Sequence, residues 1–178
     1  MEMLAGGAAA ALPLQEDFAA VVAAPLERVF AFLDDHRRLS GHMSKRSWMM
    51  AGSTMSIEAD ALGARAVGSH IRLGGRVLGM RLFVDEVVTE YLPPHRKEWR
   101  TIGEPRLLVI GPYRMSFDVS PLASATLVRV SIDYARPHGW LARVASALLG
   151  RTYARWCVRQ MVRDTIAAFG EPQTGDAA

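Results

Sequence analysis

The segment PYRMSFDVSPLASATLVRVSIDY, residues 112–134, decides the fold of this chain. Apolar side chains occupy alternate positions in both of its halves: Tyr113, Met115, Phe117 and Val119, then Val128, Val130, Ile132 and Tyr134. The positions between them carry Arg, Ser and Asp. Successive side chains of a β-strand point to opposite faces. The segment therefore predicts two strands of an antiparallel sheet that has one apolar face and one face in water.

The same two-residue period extends towards the N-terminus as far as about residue 46. WMMAGSTMSIEAD is typical of a strand bent at Gly52, and VGSHIRLGGRVLG alternates apolar residues with His70 and Arg72. MRLFVDEVVTEYLPP predicts a long strand that stops at Pro93–Pro94, and HRKEWRT alternates after it. The glycines of LGGRVLG fit no phosphate-binding motif and indicate a twisted or bulged strand pair.

Helical spacing appears on both sides of this region. EDFAAVVAA (16–24) predicts a first strand, and Pro25 begins a short helix with apolar residues at Leu26, Val29, Phe30 and Leu33. HRRLSGHM (36–43) predicts a second short helix. A long helix follows the last strand, at about 138–169. A sheet must cover its apolar face. The order therefore predicts an α+β fold in which a curved antiparallel sheet of about six to seven strands surrounds the C-terminal helix and leaves a cavity.

The second half of the C-terminal helix carries a ladder of arginines, Arg151, Arg155, Arg159 and Arg163. At about 100° per residue, the opposite arc contains Tyr153, Ala154, Cys157, Val158, Met161, Thr165 and Ala168. This pattern is typical of an amphipathic helix whose arginines face solvent. Trp156 lies on the arginine side, where it could stack on a guanidinium or mark a partner surface.

The first half of that helix, WLARVASALLG, has its apolar arc rotated by more than 90° from the later one. A straight helix could not bury both arcs against one sheet, so we expect a break or kink at Gly150. Residues 138–149 then cover the mouth of the cavity, contact a second subunit, lie on a membrane surface, or pack on the early helices.

Length and composition limit the class of protein. The chain has 178 residues, which predicts flexible tails at 1–14 and 171–178 around one domain at 15–170. A net charge of +3 gives little attraction for phosphate backbones, so we expect no nucleic-acid partner. A single cysteine excludes an internal disulfide and favours a reducing, cytoplasmic compartment. No run of about 18 uninterrupted apolar residues is present to cross a membrane.

Four stretches together resemble the START-like helix-grip superfamily, which includes polyketide cyclases and lipid-transfer domains. They are VVAAPLERVFAFLDD, VGSHIRL, VTEYLPPHRKEW and TLVRVSIDY before a closing helix. The resemblance covers residues 16–170, and its motifs are structural. It implies a deep apolar cavity for a lipid, a quinone, a polyketide or another hydrophobic molecule, and the fold alone does not fix an activity.

The inward faces of the strands and of the gripping helix supply the candidate ligand-binding residues: Trp99, Tyr113, Met115, Phe117, Val130, Tyr134 and Met161. Asp85 and Glu86 interrupt an apolar strand, and adjacent strand residues face opposite ways, so one of them points into the cavity. A carboxyl group there would have a raised pKa and could act as an acid or a base, or it could form a buried ion pair.

Other reactive residues give weaker signals. His36 and His42 are six positions apart near a turn and match no complete zinc motif, and Cys157 lies on the buried arc, so we expect no metal, no cofactor and no cysteine nucleophile. Two functions stay open, a non-enzymatic carrier of a hydrophobic small molecule and a cyclase or dehydratase that uses acid–base residues in the same cavity. A carboxyl group within hydrogen-bond reach of Tyr113 would favour the enzyme.

Overall fold

The computed structural model describes residues 11–35, 54–77 and 80–170. The seven strands are β1 (Leu14–Val22), β2 (Thr54–Ala59), β3 (His70–Val77), β4 (Met80–Leu92), β5 (Arg96–Arg106), β6 (Tyr113–Leu122) and β7 (Ala125–Tyr134). The helices are α1 (Leu26–Asp34), α2 (Trp140–Ala145) and α3 (Arg151–Phe169), with a π-helical segment (Ser146–Gly150) between α2 and α3. This is the predicted α+β order.

All seven strands form one antiparallel sheet in the order β1-β7-β6-β5-β4-β3-β2. α3 packs against β1 and β7, and α1 packs against β6 and β7. The curved antiparallel sheet with a long C-terminal helix is confirmed. One short helix follows β1 in the described residues, and the second short helix predicted at 36–43 lies outside them, as does the expected bend at Gly52.

In β6 and β7, the alternation of apolar and polar residues in the sequence matches the alternation of buried and less buried side chains in the structure. The apolar positions of both strands, Tyr113 to Val119 and Val128 to Tyr134, are buried, and they form the core together with α1 and α3. The opposite face carries ion pairs, among them Arg96 with Asp118 at 2.6 Å and Arg114 with Asp133 at 2.7 Å. The sheet therefore has a concave apolar face towards the helices and a convex polar face.

The arginine ladder of α3 is exposed, and Cys157, Val158 and Met161 opposite it are buried, as predicted. Ala168, expected on the buried arc, is exposed because the helix ends one residue later. The ladder also holds β1. Arg151 and Arg155 lie 2.7 and 3.0 Å from the two carboxylate oxygens of Glu16, and the Arg159 guanidinium lies over the Phe18 ring. Trp156 packs its ring near that of Tyr153.

The junction at Gly150 is a π-helical turn rather than a simple kink. A π turn holds more residues than an α turn, and it therefore rotates the face of α2 relative to that of α3. Glycine is required at position 150 because a Cβ there would lie 2.9 Å from the Val109 carbonyl oxygen. The apolar residues ahead of the junction are solvent-exposed: Trp140, Leu141, Val144, Leu148 and Leu149.

Candidate functional site

Of the two neighbouring carboxylates on β4, Glu86 points to the concave face. Glu86 is 3% exposed and falls in the same alternating set as the buried Val84 and Val88. Asp85 lies on the convex face, where its carboxylate is 3.2 Å from His70 and 3.9 Å from Arg72. The strand alternation therefore places one carboxyl group among apolar side chains and leaves the other in an exposed ion-pair network.

Two aromatic residues hydrogen-bond to Glu86. The Tyr113 hydroxyl donates to Oε1 of Glu86, and the Trp99 side chain donates from its indole N–H. Tyr113 is held in turn by Thr101, whose hydroxyl accepts from the Tyr113 backbone N–H at 3.1 Å. β4, β5 and β6 each supply one of these side chains, so the register of three neighbouring strands fixes the geometry. We call Glu86, Trp99 and Tyr113 the Glu86 cluster.

Burial controls the proton affinity of the Glu86 cluster. Removal from water raises the pKa of Glu86 to about 7, although the hydrogen bonds from Tyr113 and Trp99 act in the opposite direction. Burial and then the negative charge of Glu86 raise the pKa of Tyr113 well above its ordinary value. Near neutral pH the carboxyl group therefore exists in both protonation states, while the phenol keeps its proton.

The buried face of α3 closes one side of this region with Tyr153 and Cys157. Burial raises the pKa of the Cys157 thiol to about 12, and a hydrogen bond from Tyr153 offsets this only in part. A thiol with so high a pKa holds its proton and is a poor nucleophile. The chemistry available at this place belongs to the carboxyl group and not to the cysteine.

A second buried polar group, which the sequence analysis did not identify, lies further along the same face. Lys97 is fully buried, and its Nζ lies 2.5 Å from Oδ1 of Asp34 at the end of α1. The other carboxylate oxygen accepts from Tyr91 and from Arg65, both at 3.1 Å. Burial lowers the pKa of Lys97, and Asp34 opposes that change. Lys97 is two residues from Trp99, and that spacing is the signal that could have revealed it.

The seven predicted ligand-binding residues are all buried, and all belong to one core cluster. The structure brings Trp99 and Tyr113 together at Glu86, and it stacks Phe117 edge-on against Trp99 with ring centroids 6.2 Å apart. Met115 pairs with Trp99 across β5 and β6, and Val130 pairs with Phe117 across β6 and β7. Met161 belongs to the same core from α3. Tyr134 pairs directly with Tyr113 across β6 and β7, at the end of the sheet where Glu16 and Arg151 are also close to it.

A surface cavity of about 920 Å³, widely open to solvent, lies at a different place, near the end of the sheet formed by β2, β3, β4 and β5. None of the seven predicted residues lines it. Within the described ranges, no three His, Cys, Asp or Glu side chains are grouped so that they could hold a metal ion, and His36 and His42 lie outside those ranges. No helix in the described part of the chain is long and apolar enough to cross a membrane.

These features define a helix-grip domain with a polar group buried on its concave face. Residues 17–165 match the family model described as "Polyketide cyclase / dehydrase and lipid transport", and the chain belongs to that family. The family confirms the resemblance found in the sequence, and it supports binding of hydrophobic ligands in general. No curated protein matches this sequence.

Solved structures confirm the fold. A protein from Thermus thermophilus is 15% identical with a TM-score of 0.61, over 88% of this chain and 100% of that one. Truncated norcoclaurine synthase from Thalictrum flavum is 14% identical with a TM-score of 0.60, over 90% and 95%. A Chromobacterium violaceum protein is 20% identical with a TM-score of 0.57, over 90% and 99%. At these identities the likeness concerns the fold alone.

The raised pKa of Glu86 predicts a pH-dependent stability. In the native state Glu86 keeps its proton up to about pH 7, whereas in the unfolded chain it releases the proton near pH 4.5. The stabilisation of the native state by this proton is therefore complete below pH 4.5 and is lost as the pH rises through about 7. Relative to Glu86→Gln, we expect the free energy of unfolding of the wild type to fall by about 2–3 kcal/mol between pH 5 and pH 8. Urea denaturation at each pH measures the difference. Glu58→Gln, at an exposed carboxyl group on β2, is the control for the loss of one carboxyl group. A constant difference for Glu86→Gln would mean that the carboxyl group is ionised throughout.

Proposed function

We propose that this protein binds a hydrophobic small molecule, a lipid, a quinone or a polyketide-like compound, against the concave face of the sheet. The observation that carries the proposal is the Glu86 cluster. A buried carboxyl group is costly, and a face that served only as a core would be more stable with an aliphatic side chain there. Polar groups that converge in apolar surroundings are what orient a ligand with an apolar body and a few oxygens.

The family description and the surrounding residues agree with this class of ligand. Met115 and Phe117 contact Trp99 of the Glu86 cluster, and Val130 and Met161 belong to the same apolar core. The single cysteine is reduced and buried, in keeping with a cytoplasmic protein. Binding therefore combines an apolar contact surface with one oxygen-recognising group, and Tyr134 contributes from the end of β7.

Displacement of the neutral dye Nile red tests the proposal. We expect saturable binding at about one site per chain, because the concave face is single, and displacement by a fatty acid or an aromatic polyketide. Val130→Trp and Met115→Trp put a large ring into the proposed binding region and should weaken binding by about tenfold or more. Met115 is the safer position, since the flexible methionine tolerates replacement.

Trp140→Ser is the matched control, because it removes an exposed aromatic ring that could bind the dye from outside. It should leave displacement unchanged. Dye uptake that does not saturate, or that is insensitive to both filling variants while circular dichroism shows them folded, would contradict binding at the concave face.

We further propose a second function for the same site, proton transfer on the bound ligand in a cyclase or dehydratase reaction. The specific observation is the pairing of Glu86 with Tyr113, the arrangement that favours an enzyme over a carrier. A general acid or base is most effective when its pKa is near the working pH. A carboxyl group with a pKa of about 7 meets that condition. Tyr113 and Trp99 position the carboxyl group by holding its oxygens.

Deuterium exchange into an enolisable aromatic diketone tests this second function. The ionised carboxylate would remove a proton next to a carbonyl group and return a solvent deuteron to the same carbon, which NMR detects. Glu86→Gln should slow exchange by about 10²–10⁴-fold, and the wild-type rate should rise with pH through about 7. Asp85→Asn changes the neighbouring carboxylate on the convex face and should have little effect. Equal rates in wild type and Glu86→Gln would leave the protein a binder only.

We also infer that α2 and the π-helical segment lie on an anionic membrane surface. Trp140 and Leu148 are each 74% exposed, and Leu141, Val144 and Leu149 are also exposed. From Tyr134 to Arg163 the sequence contains no Asp or Glu and six arginines. An exposed apolar face with basic residues around it favours anionic lipid headgroups, which are concentrated on the cytoplasmic leaflet. A membrane contact there would bring the protein to the source of an apolar ligand.

Vesicle sedimentation tests the membrane contact. We expect binding to vesicles of phosphatidylglycerol and phosphatidylcholine, little binding to phosphatidylcholine alone, and release by salt. The double variant Trp140→Ser, Leu148→Ser should lose most of the binding. Leu92→Ser, Leu122→Ser removes two exposed leucines elsewhere and is the control. If light scattering shows a dimer that only the first double variant dissociates, the face is a homodimer interface instead and the membrane contact is overturned.

A further inference from the structure

The cavity near the end of the sheet has a row of outward-facing residues on its walls. Ser56, Gly74, Phe83 and Arg106 are paired in succession across β2, β3, β4 and β5, and Arg76 pairs with Arg81 one step further along β3 and β4. All of these residues line the cavity, together with Gly75, Leu82 and Glu104. Its volume of about 920 Å³ suits a small organic molecule.

Charge in this row is unbalanced. Arg76 and Arg81 are directly opposite each other, and like charges in that position destabilise a strand pair. Within the described ranges, neither of them nor Arg106 has a carboxylate within ion-pair distance, whereas most other convex-face arginines do. Glu104, the acidic residue among the described residues of the lining, lies 3.6 Å from His138. The cavity therefore presents three guanidinium groups that a bound anion would neutralise.

The floor of the cavity is formed by a glycine between these side chains. Gly74 lies in a strand without an unusual φ, and a Cβ there would meet only Ser56 Oγ, at 3.6 Å. The backbone therefore does not require glycine at this position, and the missing side chain is what keeps the floor open. Phe83, 47% exposed at the centre of the row, offers an aromatic surface next to the arginines.

We propose that this cavity binds a small molecule with a phosphate group and an apolar or aromatic part. Guanidinium groups bind phosphate through paired hydrogen bonds. Several guanidinium groups together suit a ligand with a doubly charged phosphate better than a ligand with one singly charged carboxylate. The aromatic part of the ligand packs on Phe83. The site is separate from the Glu86 cluster, because none of Glu86, Trp99 and Tyr113 lines the cavity.

Calorimetric titration with phenyl phosphate tests the site on the full chain. We expect saturable binding that is stronger than that of inorganic phosphate. Arg81→Ala and Arg106→Ala should each weaken it by about tenfold. Gly74→Val should abolish it by filling the floor, while strand propensity keeps the variant folded. Phe83→Ser should remove the preference for phenyl phosphate over inorganic phosphate.

Arg100→Ala is the matched control, since Arg100 is exposed on the same face of β5 but does not line the cavity. It should leave binding unchanged. Without ligand, Arg81→Ala should raise the melting temperature or leave it unchanged, because it removes a repulsion. Binding to phosphatidic acid vesicles without binding of phenyl phosphate would assign the phosphate to a lipid headgroup. The absence of saturable binding to either, or equal weakening by Arg100→Ala, would overturn the proposal.

Discussion

In the described part of the chain, two helices pack on the apolar face of a seven-stranded sheet, and the packing on that face shapes the rest of the molecule. α3 packs on β1 and β7, and α1 packs on β6 and β7, so both helices serve the same side of the sheet. α1 also reaches β5 through the ion pair of Asp34 with Lys97, and α3 reaches the Glu86 cluster through Tyr153 and Cys157. These polar groups lie on the concave face, where we propose that the ligand binds.

The two buried polar groups on that face differ in what they hold together. Lys97 and Asp34 join β5 to the end of α1, so their ion pair holds α1 against the sheet. Arg65 and Tyr91 donate hydrogen bonds to the other oxygen of the Asp34 carboxylate. Glu86 joins only side chains of neighbouring strands that the backbone already holds in register. The stabilisation that Glu86 gives to the fold is therefore small compared with the free-energy cost of burying its carboxyl group. The positive charge of Lys97 nevertheless lowers the pKa of Glu86, so the two groups are electrically coupled.

The sequence was sufficient for the fold because alternation along a strand is a local property. The burial of β6 and β7, the exposed arginines of α3 and the junction at Gly150 all followed from spacing. Other features depend on pairing between distant segments. Because adjacent strand residues face opposite sides of a sheet, the sequence showed that either Asp85 or Glu86 faces inward. It did not show which of the two does, since that depends on the register with β5. Lys97 looked like an ordinary surface charge because its partner, Asp34, is on another element. The pairing of Arg76 with Arg81 likewise became visible only with the strand register.

The π-helical segment has a consequence for how this domain could change over generations. A π turn is equivalent to an α-helix with one residue inserted. Loss of a single codon between Ser146 and Gly150 would restore an uninterrupted α-helix and turn the outer face of α2 by roughly 100° about its axis. Trp140 and Leu141, which are now exposed to solvent, would then face a different direction after a single deletion. The orientation of that surface is therefore set by the length of the chain at one point and not by the identity of any side chain on it.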